Sequence, residues 1–149
     1  MTADTFVKGQ IALHCWRAAP GAPAAAFLSM KCLALVLRNR VRAGWMGGDW
    51  LQLIASDAMY SAYKPEAIDP LGIVRFPDQR SEVWQRFLWE VDKVYSNEAG
   101  DELTEGGLWW AELDKLAGPA GRPWFVENIS RQGAQHPRVA LCGTICLWT

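Results

Sequence analysis

The sequence predicts an α+β fold that is mainly helical: a single domain over residues 1–149 with a small C-terminal β-hairpin. Three observations carry this reading. Two long stretches, one ending before Gly44 and one opening at Ser81, repeat apolar residues every three or four positions, the period of a helix with one face in a core. The end of the chain turns instead to β-branched and aromatic runs. Finally, 149 residues that are 50% hydrophobic and 21% charged make one domain's worth of chain, apolar enough to bury a core and too apolar for disorder.

Thr5 to Trp16 reads as a short helix, with Phe6, Ile11, Leu13 and Trp16 among its apolar positions. Its exit is a turn from Arg17 to Pro23, where Pro20 and Pro23 limit the backbone and Gly21 lets it bend. Ala24 to about Ala43 is the strongest helix, on the spacing of Phe27, Met30, Leu33, Ala34, Leu37 and Val41. Arg38, Arg40 and Arg42 gather at its C-terminal end, where the helix dipole favours cations, and Gly44 stops it. Asp49 is placed to cap a further short helix, "WLQLIAS". Asp57 to Gln79 is a Pro- and Gly-containing loop, long enough inside a compact domain to be expected to serve function.

Ser81 to Ser96 is amphipathic, with Val83, Trp84, Phe87, Leu88, Val91 and Tyr95 inward and Glu82, Arg86, Glu90 and Lys93 outside. A turn-rich segment with paired glycines follows, "NEAGDELTEGGLWWAELDKLAGPAGRPW". Then "WFVENIS" and "RVALCGTICLW", separated by "RQGAQHP", are expected to pair as the terminal hairpin.

Composition narrows the function. A net charge of −1 gives no field to drive binding to DNA, RNA or an anionic membrane, so no nucleic-acid partner is expected. The longest uncharged apolar stretch, Ala18 to Met30, is broken by Pro and Gly and followed by Lys31, so no membrane insertion is expected. The start, "MTADTFVKGQIALHCW", lacks the features of a secretory signal; synthesis in the cytoplasm is expected, with action at a cell wall only after release or delivery. Cys15, Cys32, Cys142 and Cys146 show no CxxC pairing, which argues against zinc and for buried free thiols. No phosphate loop, dinucleotide fingerprint, nucleophile elbow or metal helix occurs, and no cofactor is expected. A packed His14 and a loop His136 are preferred over a nucleophile pair of Cys142 with His14. Nine Trp serve either a core or the stacking of sugar rings.

A series of short segments carries a further signal through its order. Ala12 and Leu13 precede Trp16, Arg17, Ala18, Ala19, Pro20 and Gly21, and the long helix ends in Arg38, Asn39, Arg40 and Val41. Tyr60, Ser61, Ala62 and Tyr63 come next. After another helix come Asp101, Thr104, Gly106, Gly107, Leu108, Trp109 and Trp110, then Pro123 and Trp124, and last Leu141, Cys142, Gly143 and Thr144. In this order the chain resembles the spore cortex-lytic (SleB-type) cell-wall hydrolases over nearly its whole length. Arg-Asn-Arg-Val is the most specific part of the match. The resemblance implies a lysozyme-like fold with a groove for sugars, and cleavage of the glycan strands of peptidoglycan, in many members as lytic transglycosylases.

The family places its catalytic glutamate in the turn before the long helix, and that position is Ala18. Cleaving the glycosidic bond needs a partly buried carboxyl of raised pKa to protonate the leaving oxygen and then act as base. Alanine has no proton to give. The resemblance therefore implies a muramidase or lytic transglycosylase type with one Glu as general acid/base, inactivated here at Ala18; the alternative is a natural non-catalytic peptidoglycan-binding or structural module. A third reading is likeness of fold alone. Glu112 is a substitute acid in principle, against a plain solvated helix-start glutamate beside Asp114 and Lys115. Tyr60, Ser61, Tyr63, Asp101, Thr104, Trp109 and Trp110 are the residues implied to bind substrate, with core packing and turn-holding as their competing roles. Delivery without a signal implies an endolysin-like lysis setting, a phage tail or a secretion apparatus.

Overall fold

The computed structural model describes residues 1–18, 26–56, 77–100, 102–112, 138–143 and 145–148. Among these it is mainly helical with one small antiparallel sheet. The helices are α1 (Ala3–Ala18), α2 (Phe27–Arg42), α3 (Trp50–Ala55) and α4 (Glu82–Tyr95), with a 3-10 turn at Trp45–Gly48 between α2 and α3. The strands are β1 (Trp109–Glu112), β2 (Arg138–Cys142) and β3 (Ile145–Trp148).

Local chemistry explains where the helices begin and end. The Thr2 hydroxyl accepts the Thr5 N–H at 3.1 Å ahead of α1. Asp49 accepts from Gln52 N at 2.9 Å, and Ser81 accepts from Trp84 N at 3.2 Å, so both act as the caps that their residue types favour. Gly44 ends α2 at φ +84°, a left-handed conformation that glycine adopts without strain. α1 runs through Arg17 and Ala18, which the sequence assigned to a turn; the rest of that turn lies outside the described residues, as does most of the loop from Asp57.

α2 is the axis of the molecule. Its spacing predicts a one-sided stripe, yet Met30 and every residue from Cys32 to Arg40 are buried, because α1, α3, α4 and β2 pack around it. On α4, Trp84, Phe87, Val91 and Val94 form the inward face. Trp84 meets Trp16 of α1 edge-on at 5.3 Å, and Phe87 meets Phe27 of α2 at 6.1 Å. Glu90, expected outside, is buried and pairs with Lys31 of α2 at 3.2 Å, since its side of α4 faces that helix.

In the sheet, β3 lies between β1 and β2 and is antiparallel to both, with Trp110 opposite Leu147 and Leu141 opposite Cys146. The hairpin corrects the expectation from sequence. The run "RVALCGTICLW" does not form one strand but folds back on itself at Gly143, while "WFVENIS" falls outside the described residues. Gly143 has φ +59°, and a Cβ built on it would approach Ser29 Oγ to 2.6 Å. A glycine is what lets this turn lie against the first turn of α2. β1 arises from the segment read as turn-rich, and Glu112 is a strand residue opposite Ile145 rather than the start of a helix.

The cysteines require a second correction. Cys32 of α2 and Cys142 of β2 form a disulfide, their Cα atoms 6.2 Å apart, a normal separation for such a bridge. Cys15 and Cys146 are buried outside it. No described helix is long and apolar enough to cross a membrane.

Candidate functional site

The C-terminal turn of α2 organises the approach to the sheet. Of the three arginines gathered at the C-terminal end of α2, Arg38 and Arg40 are 1% and 0% exposed, and Arg42 alone stays at the surface. Successive helical residues point about 100° apart, so three adjacent polar side chains fan out to different partners. Arg38 donates from Nη1 to the Ala99 carbonyl at 2.5 Å and from Nη2 to the Gly100 carbonyl at 3.1 Å. Asn39 Nδ2 donates to Thr104 Oγ1 at 3.1 Å and to the Gly107 carbonyl at 3.0 Å. Arg40 Nε donates to the Leu108 carbonyl at 2.7 Å. Buried cations are tolerated where hydrogen bonds replace water, and these partners supply that replacement.

The approach to the sheet is thereby held at Ala99, Gly100, Thr104, Gly107 and Leu108. It closes on itself through Gly107 N to Thr104 O at 2.9 Å and joins the sheet through Leu108 N to Trp148 O at 2.8 Å. Gly106 turns it at φ +77°, and a Cβ on Gly107 would lie 2.9 Å from Leu147 Cβ. The paired glycines noted in the sequence thus serve two needs, a left-handed turn and a close approach. The result is a fixed direction of entry for Trp109 and Trp110 into β1.

Neighbouring strand residues face opposite ways, and the two tryptophans part accordingly. Trp110 is fully buried, so it is a core residue with no face for a sugar, a correction to its expected role. Trp109 is half-buried and meets Trp45 edge-to-face, centroids 5.0 Å apart and planes at 61°. The Arg40 guanidinium lies 4.7 Å from the Trp45 ring and 5.8 Å from the Trp109 ring. Burial pushes Arg40 down to about 9, which leaves it a cation at neutral pH.

From α1, His14 lies close enough to the cluster to feel the charge of Arg40. His14 is buried, and desolvation, helped by the charges of Arg17 and Arg40, pushes its pKa down to about 4. It is neutral under ordinary conditions. Ala18 lies one turn further along the same helical face and is fully buried. Burial pushes the Cys15 thiol up, and Cys142 is spent in the disulfide, so the Cys142–His14 nucleophile pair does not exist.

Of the residues implied to bind substrate, Trp109 lies in this cluster, while Thr104 is buried, its hydroxyl accepting from Asn39 and holding the turn. Tyr60, Ser61, Tyr63 and Asp101 lie outside the described residues, as does the Glu112 side chain. Sequence reasoning missed Arg40 and Trp45 as members of the site. The available signal was the Arg-Asn-Arg-Val match and the aromatic that follows it in "RAGW". Chemically, the cluster offers two inclined indoles beside a buried cation. Compared with family models, curated proteins and solved structures, the chain matches none.

Proposed function

We propose that this chain is a peptidoglycan glycan-strand protein of the cell-wall-hydrolase type, lysozyme-like in fold, that binds glycan without cutting it because Ala18 stands where the catalytic acid would be. The observation that carries the reading is the Arg38–Asn39–Arg40 clamp. It spends two buried cations on fixing the strand entry that presents Trp109 beside Trp45. Indole faces suit the apolar faces of sugar rings, and rigid placement lowers the entropy cost of binding them. A carboxyl at position 18 would sit in a buried setting that raises its pKa, the condition a general acid at neutral pH requires. Alanine supplies the packing of that position without the chemistry.

Delivery by a lysis system, a phage tail or a secretion apparatus belongs to the same proposal. The test is digestion and sedimentation of purified sacculi with the native chain and with Ala18→Glu, the soluble products read by mass spectrometry. The native chain is expected to sediment with sacculi and release nothing, and Ala18→Glu to release muropeptides. Anhydro ends would identify a transglycosylase, reducing ends a hydrolase. Absence of both binding and release in a folded Ala18→Glu protein would overturn the reading.

A further inference from the structure

The connection from α2 to α3 holds a run of left-handed backbone: Gly44 at φ +84°, Met46 at φ +52° and ψ +36°, Gly47 at φ +71° and Gly48 at φ +77°. Three of the four positions carry glycine, for which this region is free of strain. Met46 is the exception, and its Cβ pays a steric cost that a fourth glycine would avoid. Packing does not offset that cost, because the Met46 side chain is 47% exposed. Strain held at a surface residue without local reward is a pointer to function. The preceding residue, Trp45, is the one that meets Trp109 and covers Arg40.

We propose that Trp45 and Met46 are sugar-binding residues that complete an angled site with Trp109 for an uncharged N-acetylated hexosamine. This rests on the glycan reading above and names the chemistry it selects. Two indoles inclined at 61° cannot stack two successive sugar rings in line, but they form a corner for one. One indole lies under the ring's apolar face and the other meets its N-acetyl substituent, with the Met46 thioether against the acetyl methyl. Arg40 is completely buried, so its guanidinium is out of reach of a ligand's polar groups and the corner itself is walled by the apolar side chains of Trp45, Met46 and Trp109. The corner therefore favours a neutral sugar over an acidic one.

The experiment measures thermal unfolding and binding of native protein, Met46→Gly and Trp45→Ala, using chitotetraose followed by tryptophan fluorescence and purified sacculi followed by sedimentation. Met46→Gly is expected to melt at the same temperature or higher while binding chitotetraose at least threefold more weakly. Trp45→Ala is expected to lose tenfold or more. A Met46→Gly protein with native affinity, or one that melts lower, overturns the inference. If both variants hold sacculi as the native chain does, the site falls while the glycan reading stands. If the native chain binds neither ligand, both fall.

Discussion

Replacing Arg40 by methionine removes one charge from the middle of the molecule while keeping most of its volume. The guanidinium makes a 2.7 Å hydrogen bond to the Leu108 carbonyl and faces two indoles at 4.7 and 5.8 Å. A hydrogen bond from a charged donor contributes about 1.5–3 kcal/mol, and orphaning a buried carbonyl costs on the order of 1–3 kcal/mol. Loss of the stack on a desolvated aromatic adds about 1–2 kcal/mol. Against these stands relief from holding a cation out of water, which for buried charges replaced by apolar residues is of order 1–4 kcal/mol. These terms overlap, and the net is a destabilisation of about 2 kcal/mol, which for a chain of this size lowers Tm by roughly 4–8 °C. Arg40→Ala, which also opens a cavity, should lose more. The assay is thermal unfolding followed by circular dichroism, with the near-ultraviolet band reporting the coupled Trp45 and Trp109 rings. An Arg40→Met protein with native Tm and a native tryptophan band would refute the claim that this cation orders the site.

His14 sets a pH limb. Its pKa falls from 6.5 unfolded to about 4 folded, so the unfolded chain binds the extra proton between those values. Stability is therefore full above about pH 6.5 and is lost as pH falls towards 4, by roughly 3 kcal/mol in all; urea midpoints at pH 7 and 4.5 should show that limb flattened in His14→Gln. Reducing Cys32–Cys142 frees a loop of 110 residues, which on chain entropy costs about 4–5 kcal/mol. Thiol titration of the unfolded protein should then rise from two groups to four, and the urea midpoint should fall. Gly143→Ala meets Ser29 and a left-handed φ together; Ser29→Ala should restore only part of the lost Tm, since it removes the contact and not the backbone strain.

Elements with local causes were legible in the sequence. The cap Asp49, the stop at Gly44 and the inward positions Trp84, Phe87 and Val91 of α4 all follow from residues within a turn or two. What was not legible depends on partners far along the chain. The burial of Arg38 and Arg40 could not be read from their position at the end of α2, because the carbonyls they donate to come from Ala99 to Leu108. The disulfide joins residues 110 apart, with no spacing to betray it. Gly143 was a turn hidden in an apolar run, and reading the run through it merged β2 with β3. Within the site, Trp109 and Trp110 were weighed as equals. Alternation along a strand admits only one of them to the surface, and recognising "WWAE" as a strand was the missing step.

The bridge between α2 and β2 also alters the covalent topology of the chain. Everything from Cys32 to Cys142 becomes a closed ring with a tail at each end. A protease cutting once inside that ring, for instance in the Pro- and Gly-containing sequence before Ser81, opens the circle without parting the molecule. The cut protein would migrate as one species on a denaturing gel without reductant and as two once the bridge is reduced. The central helix and the hairpin would remain tethered to each other after a break in the backbone between them.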